Sequence, residues 1–218
     1  MRARTTAAFA ALLLNAVPLS AQVAWTDWTA ANVGAGTAQG TLLVGLTPVS
    51  VSFSGGLWGA QTGCGTDYYV PSAPYISASV PNRPTGCDIL LLGSGGLKTV
   101  SFSQPVVNPV LAMVSWNSQP GVSFSDPIEI VSQGAGYWGN GIFSVSGGNV
   151  LAGSGEAHGV IRILGTVSSF SFTDGGEIWH GLTVGVTGLP TNVVPEPSTF
   201  VLMATALAGA AFARRRAR

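Results

Sequence analysis

Charge is scarce in this sequence: Asp, Glu, Lys and Arg together make up 8% of its 218 residues. Six of the nine basic residues lie at the two ends, as Arg2, Arg4, Arg214, Arg215, Arg216 and Arg218. Between residues 22 and 197 only Arg83, Lys98 and Arg162 stand against nine acids, a net charge of −6. Such a balance excludes nucleic acid as a partner, because phosphate recognition needs clustered cations. Histidine is nearly absent: there are two, His158 near Glu156 and His180 near Glu177. That is too few for a metal site built on imidazoles, and each reads as a surface hydrogen bond to the neighbouring acid. No G-x-S-x-G elbow surrounds a serine, which removes the commonest nucleophile signature of exported esterases. Between the two ends no segment holds a helical period for a dozen residues. Nothing in the sequence calls for a cofactor or a metal.

What is present is concentrated first at the ends. Met1-Arg-Ala-Arg4, the apolar run Ala7 to Leu19 and the small residues of Leu19-Ser-Ala21 have the order of a secretory signal peptide over residues 1–21. At the other end no ionisable side chain lies between Pro197 and Arg214, and Phe200, Val201, Leu202, Met203, Leu207 and Phe212 alternate with alanines. A helix over residues 198–213 would measure roughly 24 Å, close to the ~30 Å hydrocarbon core. The arginines of the tail, 214–218, oppose translocation, so this segment predicts a single transmembrane helix with its C-terminus inside.

Pro195-Glu196-Pro197, the apolar segment and the terminal arginine cluster, in that order, resemble the PEP-CTERM protein-sorting signal, here over residues 191–218. The resemblance implies an exosortase as partner, an integral-membrane cysteine transpeptidase that reads the three-part signal and removes the membrane anchor. It also implies a chain that is exported, passes through the inner membrane and ends at the cell surface or outside the cell.

Residues 22–190 then read as one domain. Period-two alternation recurs throughout, as in Val49-Ser-Val51-Ser-Phe53-Ser, Val100-Ser-Phe102-Ser, Val160-Ile-Arg-Ile163, Phe170-Ser-Phe172-Thr and Leu182-Thr-Val184-Gly-Val186. Each places apolar side chains on one face and small polar ones on a wet face, the pattern of antiparallel sheets. With turns such as Ser54-Gly-Gly, Ser146-Gly-Gly-Asn and Asp174-Gly-Gly between them, these strands predict an antiparallel β-sandwich or jelly roll. Val110 to Trp116 is the most continuously apolar internal stretch and reads as a central strand covered on both faces. Cys64 and Cys87 are the only cysteines, and in an exported chain they favour a disulfide. The segment they enclose needs one, since Pro71, Pro74, Pro81 and Pro84 forbid a continuous strand through it. Phe102-Ser-Gln-Pro-Val-Val-Asn-Pro109 and a late strand at Gly176-Glu-Ile-Trp-His-Gly181 are similar to segments of β-sandwiches found in other PEP-CTERM proteins.

Candidate chemistry is thin. Gly134-Ala-Gly-Tyr-Trp-Gly139 has dinucleotide-binding spacing, but a strand and not a helix follows, so it reads as a hairpin turn. Asp126, Asp174 and Glu177 lie near turns and could offer oxygens to calcium, without D-x-D-x-D spacing. A secreted hydrolase would reveal itself by two of Asp126, Glu129, Glu156, Asp174 and Glu177 facing each other across a groove. Of six tryptophans, four suit a core, while Tyr137-Trp138 sit between glycines where a flat ring can stack on a sugar. The sequence therefore predicts a non-enzymatic surface or extracellular-matrix protein, with a carbohydrate-binding module for exopolysaccharide as the alternative.

Overall fold

A computed structural model of the protein describes residues 22–93, 95–117, 121–190 and Arg214. The expected signal peptide, the Pro195-Glu196-Pro197 motif, the apolar helix 198–213 and Arg215, Arg216 and Arg218 lie outside these residues. Among the described residues no helix is long and apolar enough to cross a membrane. The strands, in chain order, are β1 (Ala24–Trp25), β2 (Asp27–Asn32), β3 (Thr37–Val44), β4 (Thr47–Ser54) and β5 (Gly59–Thr62). They continue as β6 (Asp88–Leu92), β7 (Gly96–Val107), β8 (Val110–Trp116), β9 (Val122–Phe124) and β10 (Ile128–Gln133). The last five are β11 (Ile142–Ser146), β12 (Val150–Ser154), β13 (Ala157–Ile163), β14 (Thr166–Asp174) and β15 (His180–Val186).

Two antiparallel sheets form a sandwich. One has the order β10-β13-β8-β15-β6-β5, with β1 beside β15, and the other runs β11-β12-β9-β14-β7-β4-β3-β2. Alternation decides what faces the space between them: Val49, Val51 and Phe53 of β4, Val100 and Phe102 of β7 and Phe170 and Phe172 of β14 meet Leu111, Met113, Ile161, Leu182 and Val184 of the first sheet. On the second sheet the intervening serines and threonines of β4 and β14 face outward, as a period of two requires.

The outer face of the first sheet is not wet. Val110, Ala112 and Val114 of β8 and Val160 of β13 pack with Val23, Tyr69, Tyr75, Val80 and Ile89 in a second core cluster. The covering segment is the one between β5 and β6, closed by the Cys64–Cys87 disulfide and containing only a single 3-10 turn, Ala73–Tyr75. β8 is thus buried at every position, and so is β15, whose Thr183 was expected to face water. Proline stops the covering segment from pairing as a strand but leaves its tyrosines free to cap β8, while on β15 Trp28 reaches Thr183 and Val23 and Trp25 lie against Gly185.

Two further expectations change. The loop after β10 is not a hairpin turn, because β10 pairs with β13 in the first sheet whereas β11 pairs with β12 in the second. It is a crossover between the sheets. Of the six tryptophans only Trp28 and Trp116 are fully buried, with their indole N–H groups donating to Thr183 Oγ1 (3.1 Å) and the Gly181 carbonyl (2.9 Å). Trp25 and Trp179 are half-buried, and Trp58 and Trp138 are 63% and 54% exposed.

Candidate ligand-binding cleft

Four chain segments meet at one end of the first sheet. β8 ends at Trp116, next to the start of β13 at Ala157, and Val114 of β8 pairs with Gly181 of β15. The register of β8 against β13 shifts between Ala157 and Gly159, and Ser115 takes a left-handed conformation there (φ 61°). A bulge of this kind re-aims a side chain. Here it turns the Ser115 hydroxyl onto the carboxylate of Glu156, in the turn between β12 and β13.

Around this point lies a cleft of about 450 Å³. Its polar wall is Ser115, Asn117, Glu156 and Glu177, and its apolar wall is Trp138, Trp179 and Ile178. Asn117 joins the two acids: its side-chain amide donates to Glu156 Oε1 (3.1 Å) and its backbone N–H lies 3.3 and 3.2 Å from the two oxygens of Glu177. Trp138 and Trp179 belong to a closed set of four rings, Tyr68–Tyr137–Trp138–Trp179, with neighbouring centroids 4.9 to 6.0 Å apart. Edge-to-face contacts of this type hold aromatic rings in fixed orientations.

Behind the polar wall runs a buried chain of charge. Lys98 Nζ and His180 Nε2 both reach Asp174 Oδ2, at 3.0 and 2.9 Å, and all three side chains are wholly shielded. Burial works to raise the Asp174 pKa, but the bonds from His180, the Gly176 N–H and Lys98 prevail and bring it to about 2. The other ring nitrogen of His180, Nδ1, has no hydrogen-bond partner among the described residues. It stands 3.4 Å from Glu177 Oε1. Glu177 itself is pushed up to about 7, by burial first and then by the charges of Glu156 and Asp174, against the opposing Asn117 N–H. The aromatic wall is anchored similarly. The backbone N–H of Trp138 donates to His158 Nε2 (3.3 Å), and His158 Nδ1 faces the Tyr75 hydroxyl at 3.1 Å. Burial lowers His158 to about 4, with Glu156 opposing, so the ring stays neutral and keeps the lone pair that Trp138 needs.

The tryptophan singled out in the sequence, Trp138, is in the cleft wall, and Tyr137 supports it from the side. The glycines around them serve this placement. A Cβ on Gly136 would collide with the His158 ring, and one on Gly139 would lie 2.9 Å from Glu156 Cβ, so the crossover loop lies flat on β13 only without side chains there. Neither histidine makes a surface hydrogen bond, since both are wholly buried. The oxygens suggested for calcium are not brought together: Asp174 is committed to Lys98 and His180, while Asp126 bonds Ser125 (2.5 Å). Two of the five acids suggested for a hydrolase, Glu156 and Glu177, do share the cleft. Ser115 and Asn117 carried no signal in sequence, and Trp179 only as part of the Gly176–Gly181 segment, because bulge geometry and the meeting of four segments are properties of the fold. Gly176 to Trp179 is a loop, and strand β15 begins only at His180.

Comparison with known families assigns the C-terminal end. Residues 193–216 match the PEP-CTERM protein-sorting motif, which contains Pro195, Glu196, Pro197, Arg214, Arg215 and Arg216. The chain thus carries a PEP-CTERM sorting motif at this end, which implies processing by an exosortase. Its signal implies export to the cell surface or beyond. No curated protein and no solved structure matches the chain.

Proposed function

We propose that the domain over residues 22–190 is a non-enzymatic carbohydrate-binding module of the cell surface or extracellular matrix, taking exopolysaccharide in the cleft between Trp138, Trp179, Glu156 and Glu177. Export begins with the signal peptide at residues 1–21. The helix 198–213 then holds the chain in the inner membrane, with Arg214, Arg215, Arg216 and Arg218 inside, until exosortase removes it. One observation carries the binding reading: two indoles held by neighbouring rings line one cleft together with carboxylate, amide and hydroxyl groups. Stacking of a sugar face on an aromatic ring, with hydroxyls bonded by acids and amides, is how such sites bury a polar ligand. A glycan array probed with the exported protein tests it. Binding to a defined set of glycans, weakened about tenfold by Trp138→Ala, is the expected outcome, and tenfold corresponds to ~1.4 kcal/mol.

The shared position of Glu156 and Glu177 favours a second reading, hydrolysis of the glycosidic bond by an acid pair. Release of new reducing ends from a bound glycan, lost in Glu177→Gln, would support it over pure binding.

A further inference from the structure

We infer that the cleft selects saccharides carrying a free, protonated amino group, the ammonium seated between the carboxylates of Glu156 and Glu177 and the faces of Trp138 and Trp179. The inference rests on the carbohydrate reading above and narrows it to a ligand class.

The cleft holds two acids and no base: among the described residues no Lys or Arg lines it. A third acid, Asp174, lies behind Glu177 and is matched by Lys98 on the side away from the cleft. Glu156 is satisfied by Ser115 and the Asn117 amide, whereas Glu177 receives one backbone N–H over 3.2 to 3.3 Å. Its remaining neighbour is the buried, unpartnered Nδ1 of His180, aimed at Oε1 from the floor of the site. His180 Nε2 is taken up by Asp174 at 2.9 Å, which leaves Nδ1 to face Glu177 Oε1 at 3.4 Å. A carboxylate oxygen and a ring nitrogen this close need a proton between them or a cation beside them. Without ligand a proton meets that need, which agrees with Glu177 lying near 7. An ammonium meets it from the cleft side. The indole walls favour the same ligand, because the face of an aromatic ring attracts a cation and most strongly so when the ring is Trp. An anionic polysaccharide is disfavoured by the same acids and by the −6 charge of residues 22–197.

Protonation provides a signature that a merely structural carboxylate would lack. The titratable groups packed against Glu177 are Glu156 in the β12–β13 turn, Asp174 on β14 and His180 on β15, with Lys98 of β7 behind Asp174. His158 of β13 stands behind Trp138. An ammonium entering the site displaces the Glu177 proton, so binding strengthens as pH rises from about 5.5 to about 7.5 and releases a proton to the buffer.

The test is calorimetric titration of the exported protein with a glucosamine oligosaccharide and with its N-acetylated counterpart. At pH 7.5 the amine form should bind at least tenfold more tightly, with an enthalpy that depends on the buffer. Glu177→Gln should remove both the preference and the buffer dependence while leaving the melting temperature near that of the wild type at pH 6, where Glu177 is already largely neutral. Trp138→Ala should weaken both ligands. Equal affinity for the two oligosaccharides overturns the ammonium inference and leaves carbohydrate binding standing. No affinity for either, together with a blank glycan array, overturns both.

Discussion

Gly136 shows how one missing side chain places a functional one. Its N–H closes a turn onto the Gly139 carbonyl (2.7 Å), and its α-carbon lies against the His158 ring, whose Nε2 accepts from the backbone N–H of Trp138. Gly136→Ala should push the turn off β13, cost about 1–3 kcal/mol of stability as overpacked sites do, and loosen the indole from the cleft. Gly134→Ala provides the control, since a Cβ there would meet only Pro74 at an ordinary 3.8 Å and should change stability by less than about 0.5 kcal/mol. Chemical denaturation and tryptophan fluorescence of the two variants check this. If Gly136→Ala is as stable as Gly134→Ala, the close approach to His158 does not position Trp138.

At the scale of elements, the covering segment between β5 and β6 is the part most dependent on covalent help. It puts Tyr69, Tyr75 and Val80 on the outer face of the first sheet without strand pairing of its own beyond a bridge between Ser77 and Val80. The cystine closes a loop with a sequence separation of 23, which in the chain-entropy account stabilises the fold by about 3 kcal/mol. Cys64→Ser/Cys87→Ser should therefore lose about that much in urea denaturation, and an unchanged midpoint would show that the tyrosines hold the segment alone. The central, doubly covered place of β8 and the inward faces of β4, β7 and β14 were legible in the sequence because their side chains alternate or run apolar. β2 and β3 were not. Gly40 occupies an inward position of β3, where an apolar residue would have signalled a strand, and leaves room for the ring of Trp28. The site was half legible for a related reason: Trp138 stood out between glycines, while Glu156 and Glu177 could only be named among five acids until the bulge at Ser115 brought β8 and β13 into place.

On the scale of the whole molecule, two shifted groups at the cleft should cancel in the pH dependence of stability. His158, lowered from 6.5 to about 4, binds its proton only in the unfolded chain between those values, so its contribution to stability falls as pH drops through that window. Glu177, raised from 4.5 to about 7, holds its proton only in the folded chain, so its contribution grows as pH drops from about 7 to 4.5. Between about 4.5 and 6.5 the wild type should be nearly flat. Glu177→Gln should unmask the His158 slope, losing about 3 kcal/mol on acidification from pH 6.5 to 4, and His158→Gln should unmask the opposite one. Parallel slopes in the wild type and both variants would sink this account. Strand direction has a separate consequence. β15 leaves the cleft at His180 and reaches Val186, roughly 20 Å away, beside β1, and the chain passes on to Gly188 at the start of the β7–β8 connection. Residues 22–24 and 188–190 therefore leave the sandwich at the end remote from the cleft. In the membrane-held form proposed above, Trp138 and Trp179 therefore lie at the end of the sandwich away from the attachment, and cutting the chain beyond residue 190 leaves the cleft as it was.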